Sequence, residues 1–152
     1  IKEFMKTGKQ VNLAISLHAP NDILRSKLMK INKVYKINDI IEVIREYIKI
    51  TNRRVTFEYI MLKDVNDSVE CAIELSNLLR GINCYVNLIP YNETSHIEYR
   101  KTDREQIMKF YDTLKKHGIN VTVRKEFGSK VKAACGQLRS HYEEETVWFI
   151  TI

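Results

Sequence analysis

The spacing of the apolar residues keeps switching period along the chain, and this constrains the fold more than any other feature. In VNLAISLH, Val11, Leu13, Ile15 and Leu17 alternate with Asn12, Ala14, Ser16 and His18. A period of two marks a strand with one buried face. The next apolar set, Ile40, Val43, Ile44, Tyr47 and Ile48, falls on one stripe of a helix, with Asn38 as its expected N-cap. A shorter helix is expected from Asp22 to Met29. Alternation returns through Val55, Phe57, Tyr59 and Met61.

The cycle then repeats. NDSVECAIELSNLLRG reads as a helix opened by an Asp67–Glu70 capping box and ended by Gly81. A short strand runs from Cys84 to Ile89 and stops at Pro90. A helix with the stripe Ile107, Phe110, Tyr111 and Leu114 follows a Thr102–Glu105 capping box and ends before Gly118. INVTVRKEF supplies a fourth strand. Strand–helix alternation with short connections predicts an α/β fold, with mostly parallel strands and crossover helices, either open or closed into part of a barrel.

In both architectures ligands gather at the carboxyl ends of the strands. That rule selects Ser16 and His18 after the first strand, Glu58 late in the second, and Asn87 and Asn92 around the end of the third. Arg124 and Lys125 end the fourth, and Cys135 lies in the loop beyond. Each has a plain structural reading as well. His18 reads more readily as a cap or a carbonyl partner, Glu58 can face solvent, Asn87 can satisfy backbone, and Asn92 suits a turn.

Cys135 stands apart. Cys71 sits on a helix stripe and Cys84 at a strand start, as small core hydrophobes do. Cys135 lies in KAACGQLRS, among small residues, with Lys132 and Arg139 nearby. Small neighbours leave a thiol accessible, and cations favour its thiolate. From the residues alone, a reactive thiol and a passive tight turn stand level.

The totals set bounds. A chain of 152 residues has room for one domain with a real core. Three widely spaced cysteines argue against a disulfide framework, and four scattered histidines give no metal-ligand spacing, so no metal site is expected within the chain. No apolar run is long enough for a helical membrane span and no signal peptide opens the chain, so a cytoplasmic protein without a membrane partner is expected. The formal charge of +6 favours polyanionic partners. There is no Walker loop, no GxGxxG and no GxSxG elbow.

The segments SLHAPND, RSKLM-IN, VTFEYIML--VNDS, VNLIPYN and VTVRKEFG-----AACGQLR, taken in this order, resemble one family. It is the radical S-adenosylmethionine (SAM) RNA methyltransferases that modify carbon 2 of adenosine in large-subunit rRNA and in tRNA. The resemblance covers about residues 9 to 140 and implies the carboxy-terminal portion of a partial (β/α) barrel of the radical-SAM type. It implies SAM contacts at Ser16, Leu17, His18 and Asn92, and a methyl-carrying cysteine at Cys135. It also implies a [4Fe-4S] cluster whose ligands, like a glycine-rich SAM segment and a second catalytic cysteine, lie upstream of this region. The chain alone is therefore expected to hold no cluster and to perform no methylation.

The chain departs from the family pattern in two places. Ser129, Lys130 and Lys132 stand where acidic residues usually precede the cysteine, and Lys30 replaces a proline. Arg124, Lys125, Lys130, Lys132 and Arg139 are candidates to hold RNA phosphates. Residues 1–140 are read as barrel and 141–152 as a tail of no assigned role. Three alternatives stand beside this reading: the related carbon-8 rRNA enzyme of the antibiotic-resistance type, a degenerate RNA-binding paralogue without chemistry, and an unrelated barrel enzyme acting on a phosphorylated metabolite. The start at Ile1 points to a piece of a longer protein, and a partial barrel with open edges points to self-association.

Overall fold

The structure is a computed structural model that describes residues 1–7, 12–93 and 99–124. Four strands form a single sheet: β1 (Leu13–Ser16), β2 (Val55–Met61), β3 (Cys84–Pro90) and β4 (Asn120–Val123). Every pair is parallel, and the spatial order β1-β2-β3-β4 is the chain order. Parallel neighbours need long crossovers, and helices supply them. Between β1 and β2 lie α2 (Asp22–Leu28), a 3-10 turn (Lys30–Lys33) and α3 (Ile37–Thr51). Helix α4 (Val69–Leu78) links β2 to β3, and α5 (Arg104–Lys116) links β3 to β4. A short α1 (Lys2–Lys6), with no counterpart in the apolar pattern, packs on α3 through Ile1, Phe4 and Met5.

The alternation decides which face of the sheet is covered. Val55, Phe57, Tyr59 and Met61 of β2, and Cys84, Val86 and Leu88 of β3, all lie under the helices. They meet Ile41, Ile44 and Tyr47 from α3, Leu75 from α4, and Ile107, Phe110 and Leu114 from α5. The Tyr59 and Phe110 rings lie 5.2 Å apart, within the range of favourable aromatic pairs. On α3 the buried stripe includes Ile37 and Ile41, while Ile40 is only partly buried.

The helix starts differ from the expected caps. The cap of α3 is not Asn38, which lies inside the helix. Lys36 occupies the N-cap position, and the Asp22 carboxylate of α2 accepts from the Ile37 N–H at 3.0 Å. Ser68 caps α4 by accepting from the Cys71 N–H at 3.2 Å, one residue after the expected Asp67. Helix α5 begins after Asp103, which makes no side-chain cap, and the Thr102 hydroxyl donates instead to Asp67 at 2.9 Å. Adjacent polar residues compete for each N-cap, and the tertiary bonds of Asp67 and Thr102 decide the outcome.

Candidate functional site

The face of the sheet opposite the helices carries a polar row. Register places Ser16 beside Glu58, Glu58 beside Asn87, and Asn87 beside Thr122. One row of polar side chains thus crosses all four strands. Asn87 donates through Nδ2 to the Glu58 carboxylate at 2.8 Å, and the Thr122 hydroxyl donates to Asn87 Oδ1 at 3.3 Å. These bonds offset the cost of removing a carboxylate and an amide partly from water. Glu58 therefore meets a neutral partner, and Asn87 serves side chains and not backbone.

The end of β1 is the most constrained part of this face. After Ser16 the strand leaves the sheet through His18, whose φ of 58° is left-handed. A non-glycine residue holds that conformation only where its surroundings enforce it. Here they do. The Leu17 and His18 N–H groups both donate to the Glu58 carbonyl, at 3.0 and 3.3 Å. His18 Nδ1 accepts from the Ile60 N–H at 3.1 Å, so the ring takes the place of the next strand carbonyl.

Two buried polar side chains lock this turn. Asn66 donates to the carbonyls of His18 (2.9 Å) and Ile60 (2.7 Å), and its own oxygen accepts from the Leu62 N–H at 2.7 Å. Arg25 reaches the turn from α2, donating to the carbonyls of Ser16, Leu17 and Tyr35 and to Asn32 Oδ1. Only neutral acceptors surround that guanidinium, and burial pulls its pKa below the usual value, opposed by nearby Asp22. Burial, then the Arg25 charge, push the His18 pKa from 6.5 down to about 4. Arg25, Asn32 and Asn66 had no assigned role in the sequence, since nothing local in RSKLM-IN or VNDS signals a buried polar partner.

The expected site residues separate accordingly. Ser16 and His18 lie together at the β1 end, both partly exposed. Leu17 is fully buried and its N–H and carbonyl are both engaged, so it holds the turn and brings no side chain to the open face. Asn92 is exposed just beyond β3. Arg124 is exposed after β4, its N–H bonded to the Leu88 carbonyl. Cys135, Lys125, Lys130, Lys132 and Arg139 lie outside the described residues, as does residue 140, the expected end of the barrel.

Cys84 is buried and its pKa is pushed up to about 11 by that burial, while burial also raises Cys71. Neither thiol is a thiolate at neutral pH. Among the described residues, no group of three or more His, Cys, Asp or Glu side chains is placed to hold a metal ion. The described residues therefore offer no ligand set for an iron–sulfur cluster. A separate cavity of about 420 Å³ is lined by Lys63, Glu93, Arg100, Lys101, Thr102, Asp103 and Arg104. Lys63 is paired there with Asp103 at 2.7 Å and Arg100 with Asp64 at 3.0 Å. Among the described residues no helix is long and apolar enough to cross a membrane.

No protein-family model matches the chain. Individual relatives do. The chain is 56% identical over 140 residues, 92% of its length, to a probable dual-specificity RNA methyltransferase RlmN of Acholeplasma laidlawii (strain PG-8A), and covers 41% of that protein. A Streptococcus pneumoniae protein of the same description (serotype 19F, strain G54) is 56% identical over 144 residues, with 93% of the chain and 40% of the relative covered. Among solved structures, a radical SAM methyltransferase from Sphaerobacter thermophilus superimposes with a TM-score of 0.84 at 45% identity, over 90% of this chain and 41% of that one. A domain of pyruvate-formate lyase-activating enzyme from Bacteroides vulgatus ATCC 8482 shares the fold alone, with a TM-score of 0.64 at 15% identity, over 82% of this chain and 72% of that one. The chain spans about two-fifths of the length of the curated relatives it matches. Identity of this extent along nearly the whole chain, on a parallel sheet that superimposes on a solved enzyme, makes the chain a member of the RlmN family of radical SAM methyltransferases.

Proposed function

We propose that the chain forms part of an RNA methyltransferase that modifies carbon 2 of adenosine in rRNA and tRNA, and that its open sheet face receives SAM. The observation that carries this reading is the β1 end: a strained turn, locked by buried Arg25 and Asn66, that presents Ser16 and His18 beside the Glu58–Asn87 pair. The donor set fits an adenosyl ligand. A hydroxyl, an imidazole N–H and a carboxylate can meet ribose hydroxyls, ring nitrogens and an ammonium group. In this reading Ser16, His18 and Asn92 contact SAM, and Leu17 keeps the first two in place. SAM supplies the methyl group; the residues of this chain bind and orient it.

Cys135 is the proposed methyl carrier. An adenine carbon is a poor nucleophile, and a covalent relay through sulfur divides the transfer into easier steps. The [4Fe-4S] cluster is assigned to the part of the protein upstream of this chain. Arg124 and the lysines around Cys135 are proposed to hold RNA phosphates, in a cytoplasmic enzyme. Pairing of copies through β1 or β4 belongs to the same proposal.

Calorimetric titration of the chain with S-adenosylhomocysteine tests the reading. Binding is expected, weakened roughly 10-fold by Ser16→Ala or Asn92→Ala, the loss of about one hydrogen bond. No binding, or binding indifferent to both substitutions, would sink it. Mass spectrometry of RNA methylated by the full-length protein then separates carbon 2 from carbon 8. RNA binding without S-adenosylhomocysteine binding would favour the non-catalytic paralogue, for which Lys130 and Lys132 speak.

A further inference from the structure

A parallel ladder that loses its edge strand normally leaves an amide without a partner. Where β1 departs, that amide is the Ile60 N–H, and the His18 ring accepts from it. A ring nitrogen that accepts carries no proton, so a neutral imidazole holds its single proton on Nε2. Asn66 fixes the arrangement, because one amide group binds the carbonyls of both His18 and Ile60. Rotating the ring away would orphan a partly buried backbone donor.

We propose that His18 meets its ligand as a fixed Nε2–H donor, with Arg25 and Asn66 as the positioning residues that set this state. The ligand's identity rests on the SAM reading; the state of the ring does not.

Charge points the same way as geometry. Arg25 stands behind the turn with its charge uncompensated by any direct carboxylate bond. Asp22, on the same helix, is engaged with the Ile37 N–H. From β2, the Glu58 carboxylate accepts from Asn87. Beyond Asn66, Asp67 accepts from Thr102 and from the Asp64 N–H. A second positive charge on His18 is therefore opposed by Arg25 and met by no carboxylate in hydrogen-bond contact. Nε2 has no partner among the described residues and is not among their buried unpaired atoms. It can donate to a hydroxyl oxygen, a carboxylate or an unprotonated ring nitrogen. It is not a general base at neutral pH.

Long-range nitrogen–proton correlation spectra of the chain labelled at histidine nitrogens test this directly. The expected result is His18 with a bare Nδ1 and a protonated Nε2, unchanged from about pH 8 to pH 5. A proton on Nδ1, a mixture of tautomers, or protonation near the ordinary value of 6.5 would overturn it. The unsubstituted chain decides this without relying on a variant that might not fold. For Arg25, Arg25→Gln is expected to move the His18 midpoint toward the ordinary value, and Arg25→Lys to leave it low. An unmoved midpoint in folded Arg25→Gln overturns the role of Arg25. S-adenosylhomocysteine is then added. A shifted Nε2–H signal supports the contact, and binding without such a shift overturns it. Absence of binding, with the tautomer intact, overturns the SAM reading and not the ring state.

Discussion

At the scale of single residues, the structure concentrates its polar order on two side chains that carry no proposed chemistry, Arg25 and Asn66. The Asn66 side chain makes three hydrogen bonds from a fully buried position. Replacing it with alanine leaves buried backbone groups unpaired, and Asn66→Ala should destabilise the chain by about 3 kcal/mol in urea unfolding. His18 gives a pH dependence of definite sign. Its pKa falls from 6.5 to about 4 on folding, so the unfolded state binds more protons between those values. Stability is fully present above about pH 6.5 and declines as pH falls toward 4, by at most about 1.4 kcal/mol per pH unit from this one group. Comparing unfolding of the chain and of His18→Gln across that window isolates the effect, and equal pH slopes would contradict it. None of these partnerships was legible in the sequence. Arg25 bonds Tyr35 ten residues away, and Asn66 bonds His18 across 48 residues. Pattern reading sees apolar periods, and a buried polar residue breaks the period without naming its partner.

At the scale of elements, the apolar faces were legible and the ends were not. The alternation in β2 and the stripe of α5 follow from the period of each structure, so the buried residues match those expected, except that Tyr111 of α5 is only partly buried. Caps depend on which of two or three neighbouring polar residues leaves helical geometry, and tertiary bonds settle that. Two substitutions check the observed caps by thermal or urea unfolding. Ser68→Ala should cost about 1 kcal/mol, and Asp22→Ala about as much by uncapping α3. Asn38→Ala should stay within about 0.5 kcal/mol, since Asn38 lies inside the helix and not at its cap. The apolar side of β2 is far less tolerant. Phe57 is fully buried, and Phe57→Ala should cost about 3–5 kcal/mol.

At the scale of the whole molecule, the sheet has a graded interior. Strands β2 and β3 are bonded on both sides, whereas β1 and β4 are the edges among the described residues. Amide hydrogen exchange should therefore be slowest in the buried part of β2 and β3 and faster in β1 and β4. Edge strands that exchange as slowly as the centre would show further pairing in solution. The α/β class was legible because parallel strands require crossover helices, and the sequence spaces its strands accordingly. The location of the open face was legible only by rule, from the strand ends. Cys135, the residue that stood out most in the sequence, lies outside the described residues, so its proposed role rests on the sequence resemblance and not on geometry.

The polar row also bears on how the strands find their alignment. Apolar alternation forbids a slip of one residue, because that would turn every buried side chain outward. It does not forbid a slip of two, which keeps each face intact. Such a slip between β2 and β3 would set Glu58 against Tyr85 or Ile89 in place of Asn87, and would strand Asn87 from Glu58. The Glu58–Asn87–Thr122 chain therefore works as a vernier: it reads the two-residue steps that the hydrophobic pattern cannot distinguish.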